Sequence, residues 1–105
     1  MNIIKLKPSL MDLVDNGSKT ATTRLGLKTK YTLGPVKFQN SEVAEDLIDI
    51  GAEIYKIESI SFCDISDKLA EIENYKSASE LKKALTNIYG FIDEFETLTV
   101  IYWYR

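Results

Sequence analysis

A chain of 105 residues, 45% of them apolar, can bury one modest core without disulfides or metal, so a single domain over residues 1–105 is expected. It has no histidine and one cysteine, which excludes an internal disulfide, the usual zinc and iron ligand sets, and every catalytic arrangement built on imidazole. The net charge of −3 argues against a protein that grips long nucleic acid through many phosphates, and favours a small ligand or a short piece of RNA.

In chain order, Met1 to Leu6 reads as a strand, and Pro8-Ser9 opens a short helix whose Leu10, Leu13 and Val14 share one face before Asn16-Gly17 stops it. Thr20 to Leu25 is rich in β-branched residues and predicts a second strand. Gly34-Pro35 predicts a turn, with Val36 and Phe38 starting the next strand. Asn40 to Asp46 fits either a loop or a short helix. Leu47 to Cys63, with Ile48, Ile50, Ile54, Tyr55, Ile57, Ile60 and Phe62, predicts one or two strands around Gly51. Cys63 itself reads as a small buried thiol.

Asp64 or Ser66 can cap a helix that uses Leu69 and Ile72 as its inner face and ends near Asn74. Ser77-Ala78-Ser79-Glu80 has capping-box spacing, and Leu81, Ala84, Leu85 and Ile88 then form one helical stripe ending at Tyr89-Gly90. Thr97 to Tyr104 alternates as a final strand with one face more buried than the other. Strands at both ends with helices between them predict an α+β fold. About five or six strands with two or three short helices suggest a sheet curled into a small barrel, or an open sheet with helices on one face.

The charges are unevenly placed. Lys19, Arg24, Lys28 and Lys30 form a basic island, followed by an acidic stretch of Glu42, Glu45, Asp46, Asp49 and Glu53; the ordinary meaning is two solvated faces. Within Gly17-Ser18-Lys19-Thr20-Ala21-Thr22-Thr23-Arg24, strand geometry turns Thr20, Thr22 and Arg24 the same way. Lys19 lies three residues from Thr22, so it must sit in the turn or at a bulge to converge with them. No run of about eighteen apolar residues spans a bilayer and the N-terminus is unlike a secretory signal, so a cytoplasmic protein without a membrane partner is expected.

Gly17, Lys19, Thr22 and Arg24 match the pattern G-x-K-x-x-T-x-R, and with Tyr31-Thr32-Leu33-Gly34 they resemble the activating-signal-cointegrator homology (ASCH) domain. The run Lys68-x-Ala70-Glu71-x-Glu73-Asn74, the helix from Glu80 to Lys83 and Ile88-Tyr89 are similar to the small bacterial N4-acetylcytidine amidohydrolases of that family. The resemblance implies the PUA-like barrel fold and a catalytic set of Lys19, Thr22 and Glu73. Pro35, where the family commonly has an acidic residue, and the segment 40–49 depart from the pattern.

The resemblance further implies hydrolysis of an N-acylated pyrimidine nucleoside, a small-molecule substrate, with no cofactor and no metal. Lys19 would act as the base if its pKa fell from about 10.4 toward roughly 7 or 8. Burial and Arg24 push it down, while an ionised Glu73 pushes it up. Were the lysine to stay charged, Glu73 becomes the base and Lys19 an oxyanion partner. Arg24 is either a substrate contact or a salt-bridge partner of Glu71 or Glu73, and Tyr89 either stacks a base or packs in the core. The family also contains noncatalytic RNA-binding modules and reported ribonucleases, which stand as the second and third readings.

Overall fold

The computed structural model describes residues 2–42 and 50–105, and shows a five-stranded sheet curled into a half-barrel with helices on both faces. The strands are β1 (Asn2–Leu6), β2 (Ala21–Leu25), β3 (Gly34–Asn40), β4 (Ile50–Ser61) and β5 (Thr97–Tyr104), in the spatial order β1-β3-β4-β5-β2. Only β1 and β3 run parallel; the helix α1 (Pro8–Asp15) and the strand β2 lie between them in sequence. The expectations over 43–49, including Glu45, Asp46 and Asp49, lie outside the described residues.

Alternation along β5 sorts the core into two halves. Ile101 and Trp103 point to one side, where they pack with Ile4, Leu6, Phe38 and Ile54 and are closed over by Met11 and Val14 of α1. Phe38 and Trp103 meet there with ring centroids 4.6 Å apart. Leu98 and Val100 point to the other side, against α2 (Asp67–Ile72) and α3 (Ala78–Tyr89), through Leu69, Ala70, Leu81 and Leu85. Both faces of β5 are therefore buried, contrary to the one-sided strand expected, because the strand is central and helices cover both sides. The alternative of helices on one face fails for the same reason.

Several local expectations shift. Gly34 and Pro35 belong to β3, where Pro35 opposes Glu53; Pro35 precedes the pairing with β1, which begins at Val36, so its missing N–H breaks no bond of that ladder. β4 is one strand running through Gly51, with a register shift between Ile54 and Lys56. Ser66, rather than Asp64, caps α2 by accepting from the Leu69 N–H at 3.1 Å. Ile88 is exposed rather than packed in the stripe of α3, since the last turn of that helix runs beyond the core. Cys63 is exposed, not buried, in a short 3-10 turn at Phe62–Asp64. Among the described residues no helix is long and apolar enough to cross a membrane.

Candidate active site

β1 and β2 are the two edges of the curled sheet, and a cleft of about 690 Å³ lies where they approach each other beneath α3. Lys19 reaches its floor because α1 stops abruptly. Gly17 takes a left-handed φ of +83°, the Ser18 N–H donates to Asn16 Oδ1 at 2.9 Å, and the Lys19 N–H reaches back to the Leu13 carbonyl at 3.0 Å. The loop thus carries Lys19 inside, 2% exposed, where a solvated basic face was the ordinary expectation. It lies in the turn ahead of β2, as its spacing from Thr22 requires.

Glu73 arrives from the opposite direction, on the residue that follows the last turn of α2. There the Asn74 N–H donates to the Glu71 carbonyl at 3.0 Å and the Tyr75 N–H to the Ala70 carbonyl at 2.7 Å, with Asn74 at φ +70°. This pair of bonds through a left-handed residue is the Schellman closure of a helix, and it fixes Glu73 at the C-cap. From that position the carboxylate meets the free edge of β2. Oε1 accepts from Lys19 Nζ and from the Thr23 N–H, both at 3.2 Å, and Oε2 accepts from Thr23 Oγ1 at 2.6 Å. The Thr20 N–H donates to the Ile72 carbonyl at 3.1 Å, so the end of α2 covers an edge that would otherwise be open to pairing.

Lys19 and Glu73 form an ion pair whose side chains are each 3% exposed. Removing two such charges from water costs several kcal/mol per ion, and only close geometry with further donors offsets it. Three donors on one carboxylate supply that here. Burial pushes the Lys19 ammonium below its ordinary pKa of 10.5; the charge and hydrogen bond of Glu73 oppose the shift without cancelling it, and the Arg24 cation adds to it. The amine is therefore easier to deprotonate than a surface lysine. Tyr75, also on the cleft wall, is pushed the other way by burial first and then by Glu73 and Glu80, which keeps its hydroxyl a proton donor.

Of the residues singled out in the sequence, the fold brings Lys19 and Glu73 together across 54 positions. Thr22 is buried and lines the cleft, yet strand alternation turns it to the side of Ile101, away from the Thr23 side chain, and among the described residues no hydrogen bond joins its hydroxyl to Lys19 or Glu73. Arg24 makes no salt bridge with Glu71 or Glu73; its Nη2 donates weakly to the Lys5 carbonyl at 3.4 Å, and its Nε is buried without an acceptor. Tyr89 is partly exposed on the cleft wall and is not a core residue. Thr23 and Tyr75 do not stand out in the sequence. Adjacency to Thr22 and nearness to Glu73 are the only signals there that bear on them.

No protein-family model and no curated protein sequence matches the chain. Its structure is similar to the crystal structure of an ASCH domain from Lactobacillus crispatus JV V101, with a TM-score of 0.77 and 16% sequence identity over 97% of this chain and 78% of that one. The fold is accordingly that of an ASCH domain, an α+β half-barrel of the PUA-like kind, as the sequence resemblance implied.

Proposed function

We propose that this protein is an ASCH-family amidohydrolase that removes the acetyl group from N4-acetylcytidine or a related acylated pyrimidine nucleoside. The observation that carries the reading is a buried amine, held by a carboxylate, at the floor of a cleft of about 690 Å³, within the usual range for small-molecule sites. A paired lysine and glutamate with no role but stability would more commonly lie on a surface, where desolvation costs nothing.

The chemistry needs a base, an oxyanion partner and a proton for the departing amine. In the proposed cycle, neutral Lys19 takes a proton from water as the water oxygen bonds to the acyl carbon. Lys19 then returns that proton to the exocyclic nitrogen as the carbon–nitrogen bond breaks and the oxyanion collapses. The products are acetic acid and the free amine of cytidine, and the lysine is neutral again. Burial supports this role by lowering the pKa of Lys19. Glu73 positions Nζ and stabilises the ammonium formed midway.

Thr22 orients the attacking water from the β2 edge, Arg24 contacts the substrate, and Tyr89 lies against the base. Thr23 is a positioning residue, because both of its donors hold Glu73. Incubating the purified protein with N4-acetylcytidine and following the ultraviolet spectrum tests the reading. Conversion to cytidine that disappears in Lys19→Met is expected; a wild type that leaves the spectrum unchanged defeats it.

A further inference from the structure

Among the described residues, the cleft lining and the chain as a whole have opposite charge. The protein carries a net −3, yet the described side chains lining this cavity include Lys5, Lys7, Lys19 and Arg24 against one carboxylate, that of Glu73. Glu73 is engaged by Lys19, and among the described residues no carboxylate pairs with Lys5, Lys7 or Arg24. Lys5 and Lys7 stand two residues apart along β1 and its extension, which turns them to the same side of that edge. Arg24 faces them from the other edge, bound to the Lys5 carbonyl and with its buried Nε still lacking an acceptor. A guanidinium donor left unmatched in a partly dry site is costly, and an anionic oxygen is the acceptor that suits it best.

The opposite wall is different in kind. Ile88 and Tyr89 present apolar and aromatic surface there, although they lie at the exposed end of α3. A cation-lined wall, an aromatic wall and a reactive floor match the three parts of one molecule. Resting on the pyrimidine reading above, we propose that the ligand is a phosphorylated pyrimidine nucleotide. Its phosphomonoester lies between Lys5, Lys7 and Arg24, its base lies against Tyr89, and its acylated amine reaches Lys19 and Glu73. Three cations in one cluster suit a single phosphate. A nucleic-acid strand needs contacts to several phosphates along its path, and the negative charge of the whole chain opposes that.

The test is a calorimetric titration of the wild type with cytidine, cytidine 5′-monophosphate and an oligocytidylate, with no turnover required. The monophosphate is expected to bind about tenfold or more tightly than cytidine at low salt, the scale of one added charge-assisted contact, with the advantage shrinking as salt is added. In Lys5→Gln/Lys7→Gln, whose altered side chains are exposed, the ratio of the two affinities is expected to fall to about twofold or less. Equal affinity of wild type for nucleoside and monophosphate overturns the proposal. So does an oligocytidylate that binds more tightly than its number of overlapping registers explains, since the ligand is then a strand. A monophosphate preference without hydrolysis of N4-acetylcytidine or its 5′-monophosphate defeats the amidohydrolase reading alone.

Discussion

Arg105 and Asp15 approach to 2.7 Å, closer than the 3.2 Å between Lys19 and Glu73, and by distance alone the first would be the stronger ion pair. Their surroundings reverse the order. The Arg105 and Asp15 side chains are 41% and 67% exposed, so water and salt compete for both charges, and holding the long Arg105 side chain in place consumes much of the gain. Lys19 and Glu73 have no such competition. Their mutual attraction is large, and so is the cost of bringing them there, which leaves a pair that adds little net stability but cannot be broken cheaply.

That contrast can be tested most severely at Glu73. Glu73→Ala strands a buried lysine and is expected to cost about 3–5 kcal/mol in urea unfolding, whereas Lys19→Met/Glu73→Leu should recover most of that loss while remaining inactive. A double variant as unstable as the single one would mean that the pair contributes net stability, contrary to the comparison. Thr23→Val removes the shortest bond to the carboxylate and should cost about 1–3 kcal/mol, more than Thr22→Val, whose hydroxyl makes no bond to Glu73 or Lys19; equal losses would contradict the positioning role.

The dependence on pH gives a third measure. Because burial holds the folded pKa of Lys19 below 10.5, the unfolded chain binds the extra proton between the two values, and stability from this group rises with pH across that window. Unfolding midpoints of the wild type, measured relative to Lys19→Met/Glu73→Leu from neutral pH toward 10.5, should therefore increase; a decrease would mean that Glu73 outweighs burial. Smallest of all, Arg105→Ala should change stability by about 0–1 kcal/mol and by nothing measurable in molar salt.

How far the sequence anticipates this arrangement depends on the range of the interaction. Caps at Ser66 and Ser77, the stop at Gly17 and the strand of Ala21–Leu25 rest on neighbours within a few residues, and they are readable. The meeting of Lys19 with Glu73 is expected only through family resemblance, because spacing cannot say which face of β2 receives α2. Thr22 is likewise named through the resemblance, whereas the bond of Thr23 to Glu73 follows only from the packed helix, since alternation separates the two hydroxyls and spacing does not say which of them the helix meets. The buried faces of β5 are half-legible for a similar reason, since a strand reports its own periodicity and not how many layers enclose it. Lys5 and Lys7 lie in and just after an unremarkable strand, and they gain meaning only once the curled sheet carries its two edges toward one another.

The Schellman closure after Glu73 makes the length of α2 a matter of aim. Each residue added to or deleted from a helix rotates the downstream chain by about 100° and shifts it by about 1.5 Å, so a change of one residue between Ser66 and Asn74 would swing the carboxylate out of line with β2 even if the helix remained intact. Homologous chains that keep this chemistry should vary in length elsewhere, and hold that interval from cap to stop like the throw of a lever.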